Sequence, residues 1–269
     1  MDQSTLDRLQ SWFDSYVAQF YDTDAEGVLN IRLKVEHTAQ VCRVMTLLAA
    51  GEGLDANQTR IALATALLHD VGRFPQYRRW RTFRDSDSAN HARLSVEVTR
   101  EERLLAGLPE AERVLIEEAV RFHNLLKVPQ RLKSPTPLFL RLVRDADKLD
   151  IWRVFFDLFH QPPEERASAA SLGFPDRPQI TPECLAHLAN GRIVPLAKVQ
   201  TLNDFKLLQI SWVFDLNFPT SFRLLAERGY ITSLAATISG DLEIGPQIEL
   251  VMAEVERRAT GAAGRELSP

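Results

Sequence analysis

Cysteine is nearly absent from this 269-residue chain: there are two, Cys42 and Cys184, each inside a helical pattern. That excludes a disulfide framework and a paired-cysteine zinc knuckle, and predicts a reduced, cytoplasmic protein. Long hydrophobic runs are lacking, since nothing approaches the ~18 apolar residues of a membrane span. The N-terminal stretch MDQSTLDRLQSWFDSY is polar and acidic, unlike a signal peptide. A strong charge of one sign is also missing: the net charge is −4 and the pI about 5.9, so neither nucleic acid nor an anionic membrane is expected as a partner. Internal repeats, low-complexity tracts and convincing strand alternation are absent. What remains is a composition 45% hydrophobic and 25% charged, that of a globular protein with a sizeable core.

The apolar periodicity is helical nearly throughout, so the fold class is all-α. It predicts helices over about 4–21, 30–50 and from Asp55 to His69-Asp70, with Gly51 and Gly53 ending the second and Asp55 capping the third. Residues 71–88 read as a loop, because Gly72 and Pro75 interrupt the pattern. Ser88 then offers a cap for a helix through His91 that stops near Gly107, and Pro109 opens one to His123. After a proline-rich connection, a helix runs from Leu138 to about Phe159. Residues 161–180 read as an irregular linker. Further helices start at Thr181-Pro182, at Asn203 or Asp204, at Pro219 (ending at Gly229) and near 246, with a frayed end over 261–269. Trp212, Phe214, Leu216 and Phe218 read as core. The domain reading is a metal-binding part over 1–160, with its core at 30–160, and a C-terminal helical extension over 161–269, expected to pack on the same domain.

The chain has six histidines, and four of them fall in an ordered series with two acids: His37, His69-Asp70, His91, His123 and Asp147. Long helices separate them, so side chains from several helices can gather at one point. Imidazole and carboxylate together suit divalent ions such as manganese, iron, cobalt, nickel or zinc. His37, His69, Asp70 and Asp147 make one site. Asp70, with two oxygens, can bridge to a second metal held by His91 and His123. Two divalent ions against two carboxylates leave a positive excess that favours phosphate; one ion leaves none. His160 and His187 have no partner motif and read as ordinary helix residues. The acids Asp145, Asp147 and Asp150 lie in an otherwise apolar helix, where a bare carboxylate is costly to bury.

These residues resemble the HD-domain superfamily of metal-dependent phosphohydrolases. The string Ala66-Leu67-Leu68-His69-Asp70-Val71-Gly72-Arg73-Phe74 is similar to its LLHD-[IV]-G-[KR]-[FI] signature, and Arg144-Asp145-Ala146-Asp147-Lys148-Leu149-Asp150 to its D-x-D-K-x-D end. The resemblance spans about 30–160. It implies an HD-domain helical bundle, Asp147 as a ligand and Asp145 and Asp150 as supporting residues. The added His91 and His123 are similar to the two-metal members, which include cyclic-dinucleotide phosphodiesterases of the HD-GYP type and diiron oxygenases. Departures are the lack of a doubled histidine or Gly-Tyr-Pro after His123, and Leu33 where an acid is expected one turn before the first histidine.

The expected function is therefore hydrolysis of a phosphate ester, nucleotide or otherwise, with two divalent ions. Manganese, iron, cobalt, nickel, magnesium and zinc all stay open. Asp70, Arg73 and Lys148 are the candidate catalytic residues. Residues 71–84, VGRFPQYRRWRTFR, hold five arginines that read equally well as a phosphate-binding lid or as a surface loop paired with Asp85 and Asp87. Tyr77, Trp80 and Phe83 are candidates to stack on a base. Lys127, Arg131 and Lys133 add positive charge after His123. The rival readings are a diiron oxygenase and a non-catalytic metal-containing regulatory module. A homodimer is left open.

Overall fold

A computed structural model describes residues 1–21, 24–160, 173–238 and 244–261, with the side chains of 159 and 160 excepted. The His160 side chain and most of the predicted 161–180 linker, like the C-terminal end, thus lie outside what is described. The fold is all-α, with no strand among the described residues. Nor is any described helix long and apolar enough to cross a membrane. The described residues divide into two compact units, one running from Met1 to Asp150 and the other built from residues 151–160 and those from Gly173 on.

The first unit contains α1 (Gln3–Ala18), α2 (Ala25–Gly51), α3 (Ala56–Leu68), α4 (Arg73–Trp80), α5 (His91–Glu101), α6 (Glu110–Phe122) and the first part of α7 (Thr136–His160). Local chemistry sets their ends. The Asp24 side chain accepts from Gly27 N–H at the start of α2, and Asp55 with Gln58 forms a reciprocal capping box on α3. Helix α2 packs along α3, α3 against α1 and α6, and α5 against α4 and α6. The core includes fully buried Leu9, Met45, Leu48, Leu68 and Ile116, each stabilising the fold by roughly 1.5–3 kcal/mol relative to exposure. Phe74, from α4, sits in an aromatic cluster with Phe13, Tyr16 and Phe20.

Residues 73–80 are a helix, not the loop that Gly72 and Pro75 suggested. Pro75 falls in the first turn, where a helix N–H has no internal acceptor and proline is tolerated. The cap of α5 is likewise Asn90, which accepts from Arg93 N–H, while Ser88 Oγ donates to the Arg84 carbonyl. Gly72 serves a close approach: a Cβ there would lie 2.4 Å from Ser95 N and 2.5 Å from the His91 carbonyl oxygen. The turn that carries His69 and Asp70 is thereby pressed onto the first turn of α5, the turn that carries His91. Gly72 N–H donates to Ser95 Oγ across this contact.

In the second unit α9 (Leu202–Ser211) is buried along its whole length and packs against α8 (Pro182–Ala189) and α11 (Tyr230–Ala236); α12 (Gly245–Ala259) packs against α8, α10 (Pro219–Arg228) and α11. The start of α9 is Thr201, whose capping box uses Asp204 as its third residue. Gly229, in the left-handed region at φ 64°, ends α10 and leads directly into α11, a helix absent from the sequence expectation. Leu216 and Val213 are core, whereas Trp212, Phe214 and Phe218 are half-buried.

Gly72→Ala forces α5 away from the His69-Asp70 turn. The expected result is a loss of about 1–3 kcal/mol in denaturant unfolding together with weakened metal binding, because His91 moves with α5. Wild-type stability and metal affinity in this variant would contradict the close approach.

Candidate metal centre

The six residues of the histidine–aspartate series come together in the first unit. His37 projects from the middle of α2, His69 and Asp70 follow the end of α3, His91 opens α5, His123 follows the end of α6 and Asp147 lies on α7. All four imidazoles and Asp70 are buried, while the Asp147 side chain is 19% exposed, so the cluster opens to solvent on the Asp147 side.

One ring nitrogen of each histidine is committed outward. His69 Nδ1–H donates to the Ala66 carbonyl and His123 Nδ1–H to the Val120 carbonyl, each at 2.7 Å. A carbonyl only accepts, so the proton must be on Nδ1. His37 Nδ1 lies 2.7 Å from Asp150 Oδ2, and His91 Nδ1 lies 2.7 and 2.9 Å from the Asp85 oxygens. Carboxylates there fix the same tautomer. Every neutral ring therefore turns an Nε2 lone pair into the cluster.

The acceptors divide into two groups that share Asp70. Nε2 of both His37 and His69 lies 3.7 Å from Asp70 Oδ2, and Asp147 Oδ1 stands 3.1 and 3.7 Å from the same two nitrogens. On the other oxygen, His91 Nε2 is 3.6 Å and His123 Nε2 4.0 Å from Asp70 Oδ1, with the two nitrogens 3.1 Å apart. His37 Nε2, His69 Nε2 and Asp70 Oδ1 have no hydrogen-bond partner despite full burial, the 3.1 Å approach of Asp147 to His37 being poorly directed for one. Such orphaned acceptors are costly, and a cation bound among them removes the cost. Two groups can hold a metal: His37, His69 and Asp70, with Asp147 alongside, and Asp70, His91 and His123.

The electrostatics agree with this. Burial and the charges of His91 and His69 push His123 down to about 3, leaving it neutral and able to ligate. His91 is lowered chiefly by burial and by Arg73. Burial opposes ionisation of Asp70 and Asp147, yet Lys34, His69, Arg73 and His91 around the first, and His37 and His69 beside the second, hold both well below the usual carboxylate range. For His37, burial and Lys34 disfavour the proton, but Asp147 and Asp150 outweigh them and raise it to about 9.

Around the ligands, several positions are ones that sequence reasoning missed or misread. Lys34 Nζ donates to Asp70 Oδ2 at 2.8 Å and stands 5.4 Å over the Phe83 ring. It lies about one helical turn before His37 on the same face of α2, an i,i+3 relation that could have flagged it. Asp85, expected only to pair with arginines, orients His91 and also accepts from Gln76 and Asn124. Buried Arg144 donates to the His123, Leu125 and Leu126 carbonyls, pinning the segment after α6 to α7.

Of the candidate catalytic residues beyond Asp70, Arg73 places Nε 3.5 Å from Asp70 Oδ1 while its Nη1 donates to the Phe83 carbonyl and Asp85. Lys148 Nζ instead points back along α7, 3.5 Å from the Arg144 carbonyl. The five-arginine lid does not form. Arg78 binds the Gln19 carbonyl and lies over Phe20, Arg79 lies over Trp80, Arg81 pairs with Asp24 and Arg84 with Asp87. Tyr77 and Phe83 are core residues, with the Tyr77 hydroxyl accepting from Asn30, so neither is free to stack on a base. Helix α4 turns most of these side chains away from the cluster.

A raised His37 means that the folded state holds this proton more tightly than the unfolded chain. Its stabilising contribution is therefore complete below pH 6.5 and is lost as the pH rises through about 9. A divalent ion must displace the same proton. Manganese affinity, measured by calorimetry on chelator-stripped protein, is thus expected to rise by up to about tenfold per pH unit between 6.5 and 9. An affinity flat over this interval would refute the assignment.

Residues 35–152 match the family model described as HD domain, and this segment contains all six residues of the cluster. No curated protein and no solved structure gives a significant match to the chain. Helical fold, clustered histidines and acids, and family match coincide on the same stretch: over residues 35–152 the chain carries an HD domain.

Proposed function

We propose that this protein is an enzyme that hydrolyses a phosphate ester, with His37, His69, Asp70 and Asp147 holding one divalent ion and Asp70, His91 and His123 a second. The observation that carries the reading is the convergence of four imidazole Nε2 atoms on the two oxygens of one carboxylate, with two cationic side chains beside it. Divalent ions in such a site lower the pKa of water from ~15.7 toward ~7 and neutralise phosphate oxygens.

The chain's own groups supply the rest. Arg73 and Lys34 set positive charge at the edge of the cluster, where an arriving phosphate monoester or diester carries its charge. Arg73, its Nη1 held by the Phe83 carbonyl and Asp85, contributes a fixed guanidinium charge, and Lys34 a compact ammonium. Asp85 and Asp150 keep His91 and His37 in the ligating tautomer. Lys148, directed at a carbonyl of its own helix, contributes less than Lys34. These two cations also favour an anionic substrate over the dioxygen chemistry of a diiron oxygenase.

The test is phosphate release from nucleotides and small phosphoesters with manganese, iron, cobalt, nickel or magnesium added, alongside oxygen consumption by iron-loaded protein. Asp70→Ala is expected to lose both metals and all turnover. Arg73→Lys keeps the metals and lowers kcat at least about tenfold, because lysine cannot keep the Phe83 and Asp85 contacts that fix the charge beside Asp70. Lys148→Ala changes kcat less than Lys34→Met does. Full turnover by Asp70→Ala, or oxygen uptake without phosphate release, sinks the reading.

A further inference from the structure

A second charged feature of the first unit lies apart from the metal ligands. A cavity of about 290 Å³ opens between α5 and α6, with Val96, Val114 and Phe122 among its lining and arginines from both helices and from the connection after α6 around them. Four arginines face two glutamates there, an excess of positive charge in a chain whose net charge is −4. The balance is uneven within the cavity. Glu117, itself buried, is taken up by Arg100 at 2.5 Å and Arg113 at 3.5 Å. Arg121 and Arg131 have no carboxylate or hydrogen-bond partner among the described residues; each meets only the Phe122 ring, at 5.8 and 5.1 Å from its centroid.

We infer that this cavity binds a nucleotide at a site separate from the metal centre. Arg121 and Arg131 share Phe122 as a neighbour, and their unpaired planar forks can take phosphate oxygens bidentately. Phe122 provides a flat apolar face against which a base can pack. Glu118, which has no ion pair of its own, repels a bare anion but accepts hydrogen bonds from ribose hydroxyls, favouring a nucleotide over inorganic phosphate. The volume suits the base or the sugar-phosphate part of one nucleotide, at the lower end of small-molecule pockets. None of the lining residues is a metal ligand, yet the site is built on the helix pair that carries His91 and His123: α5 begins at His91, and Phe122 precedes His123.

The experiment titrates the full-length protein, in buffer containing manganese, with a fluorescent adenine nucleotide, using the wild type, Arg121→Ala/Arg131→Ala and the metal-deficient Asp70→Ala. Both arginines are exposed and make no ion pair, so the double variant keeps its fold, checked by helical circular dichroism and the thermal midpoint. Saturable binding is expected in the wild type, weakened tenfold or more in the double variant and preserved in Asp70→Ala. Competition by inorganic phosphate should be weak. The proposal falls if the wild type shows no saturable binding or if the double variant binds within twofold of it. It also falls if Asp70→Ala loses binding while the double variant keeps it, which would put the nucleotide at the metals. Because binding is read without turnover, a failure here is distinct from a failure of the hydrolase reading.

Discussion

The centre depends on how each imidazole spends its Nδ1 proton. Two rings give it to backbone carbonyls three residues back, His69 to Ala66 and His123 to Val120. Both histidines stand one residue past a helix end, where carbonyls lack intrahelical partners, so ending the helix also supplies the acceptor. The other two rings lie away from a helix C-terminus and use carboxylates from elsewhere in the chain, His37 with Asp150 and His91 with Asp85. Each half of the centre thus combines one ring set by a helix end with one set by an acid. A carboxylate partner makes its imidazole a stronger base, and both halves contain one such ligand. The consequence is a buried space faced almost wholly by acceptors, which is stable only when a proton or a metal cation sits within it.

The same tautomer rule explains why the residues around the ligands are arranged as they are. Asp85 can reach His91 only because the turn after α4 brings residues 85–87 back beside the first turn of α5, and Gln76 and Asn124 hold its oxygens. Gly72 allows the His69-Asp70 turn to touch α5 without a Cβ between them. Arg144 ties the chain after His123 to α7, the helix that also presents Asp147 and Asp150. Displacing any of these moves a ring whose lone pair must meet others within about 4 Å.

Much of this was legible in the sequence, and the division has a physical basis. Helical periodicity and the ordered ligand types are local signals, and they pointed to the all-α fold and to the six clustered residues. What could not be read were pairings that depend on three-dimensional placement. The 71–84 arginines looked like a lid because Pro75 and Gly72 are helix breakers in isolation. Proline in a first turn is harmless, however, and the resulting helix hands Arg78, Arg81 and Arg84 to acceptors outside the cluster. Lys148 looked close to the site because it follows Asp147, but one helical step carries it round to its own backbone. Asp85 carries no periodic signal that would connect it to His91.

Asp70 gives the two halves unequal characters. Each of its oxygens faces two imidazoles and one cationic side chain, with Lys34 close at 2.8 Å on Oδ2 and Arg73 looser at 3.5 Å on Oδ1. A cation in the Oδ2 half would therefore share that oxygen with a tightly placed ammonium. This is also the half to which Asp147 adds a second carboxylate, which offsets that positive charge and brings its donors to four. The Oδ1 half has three donors and a more distant guanidinium. Were each half to hold a divalent ion, the half with fewer protein donors would leave more room for water and for a substrate oxygen. Charge and donor number thus distinguish the halves: His37, His69, Asp70 and Asp147 form the fuller set, and His91, His123 and Asp70 the more open one.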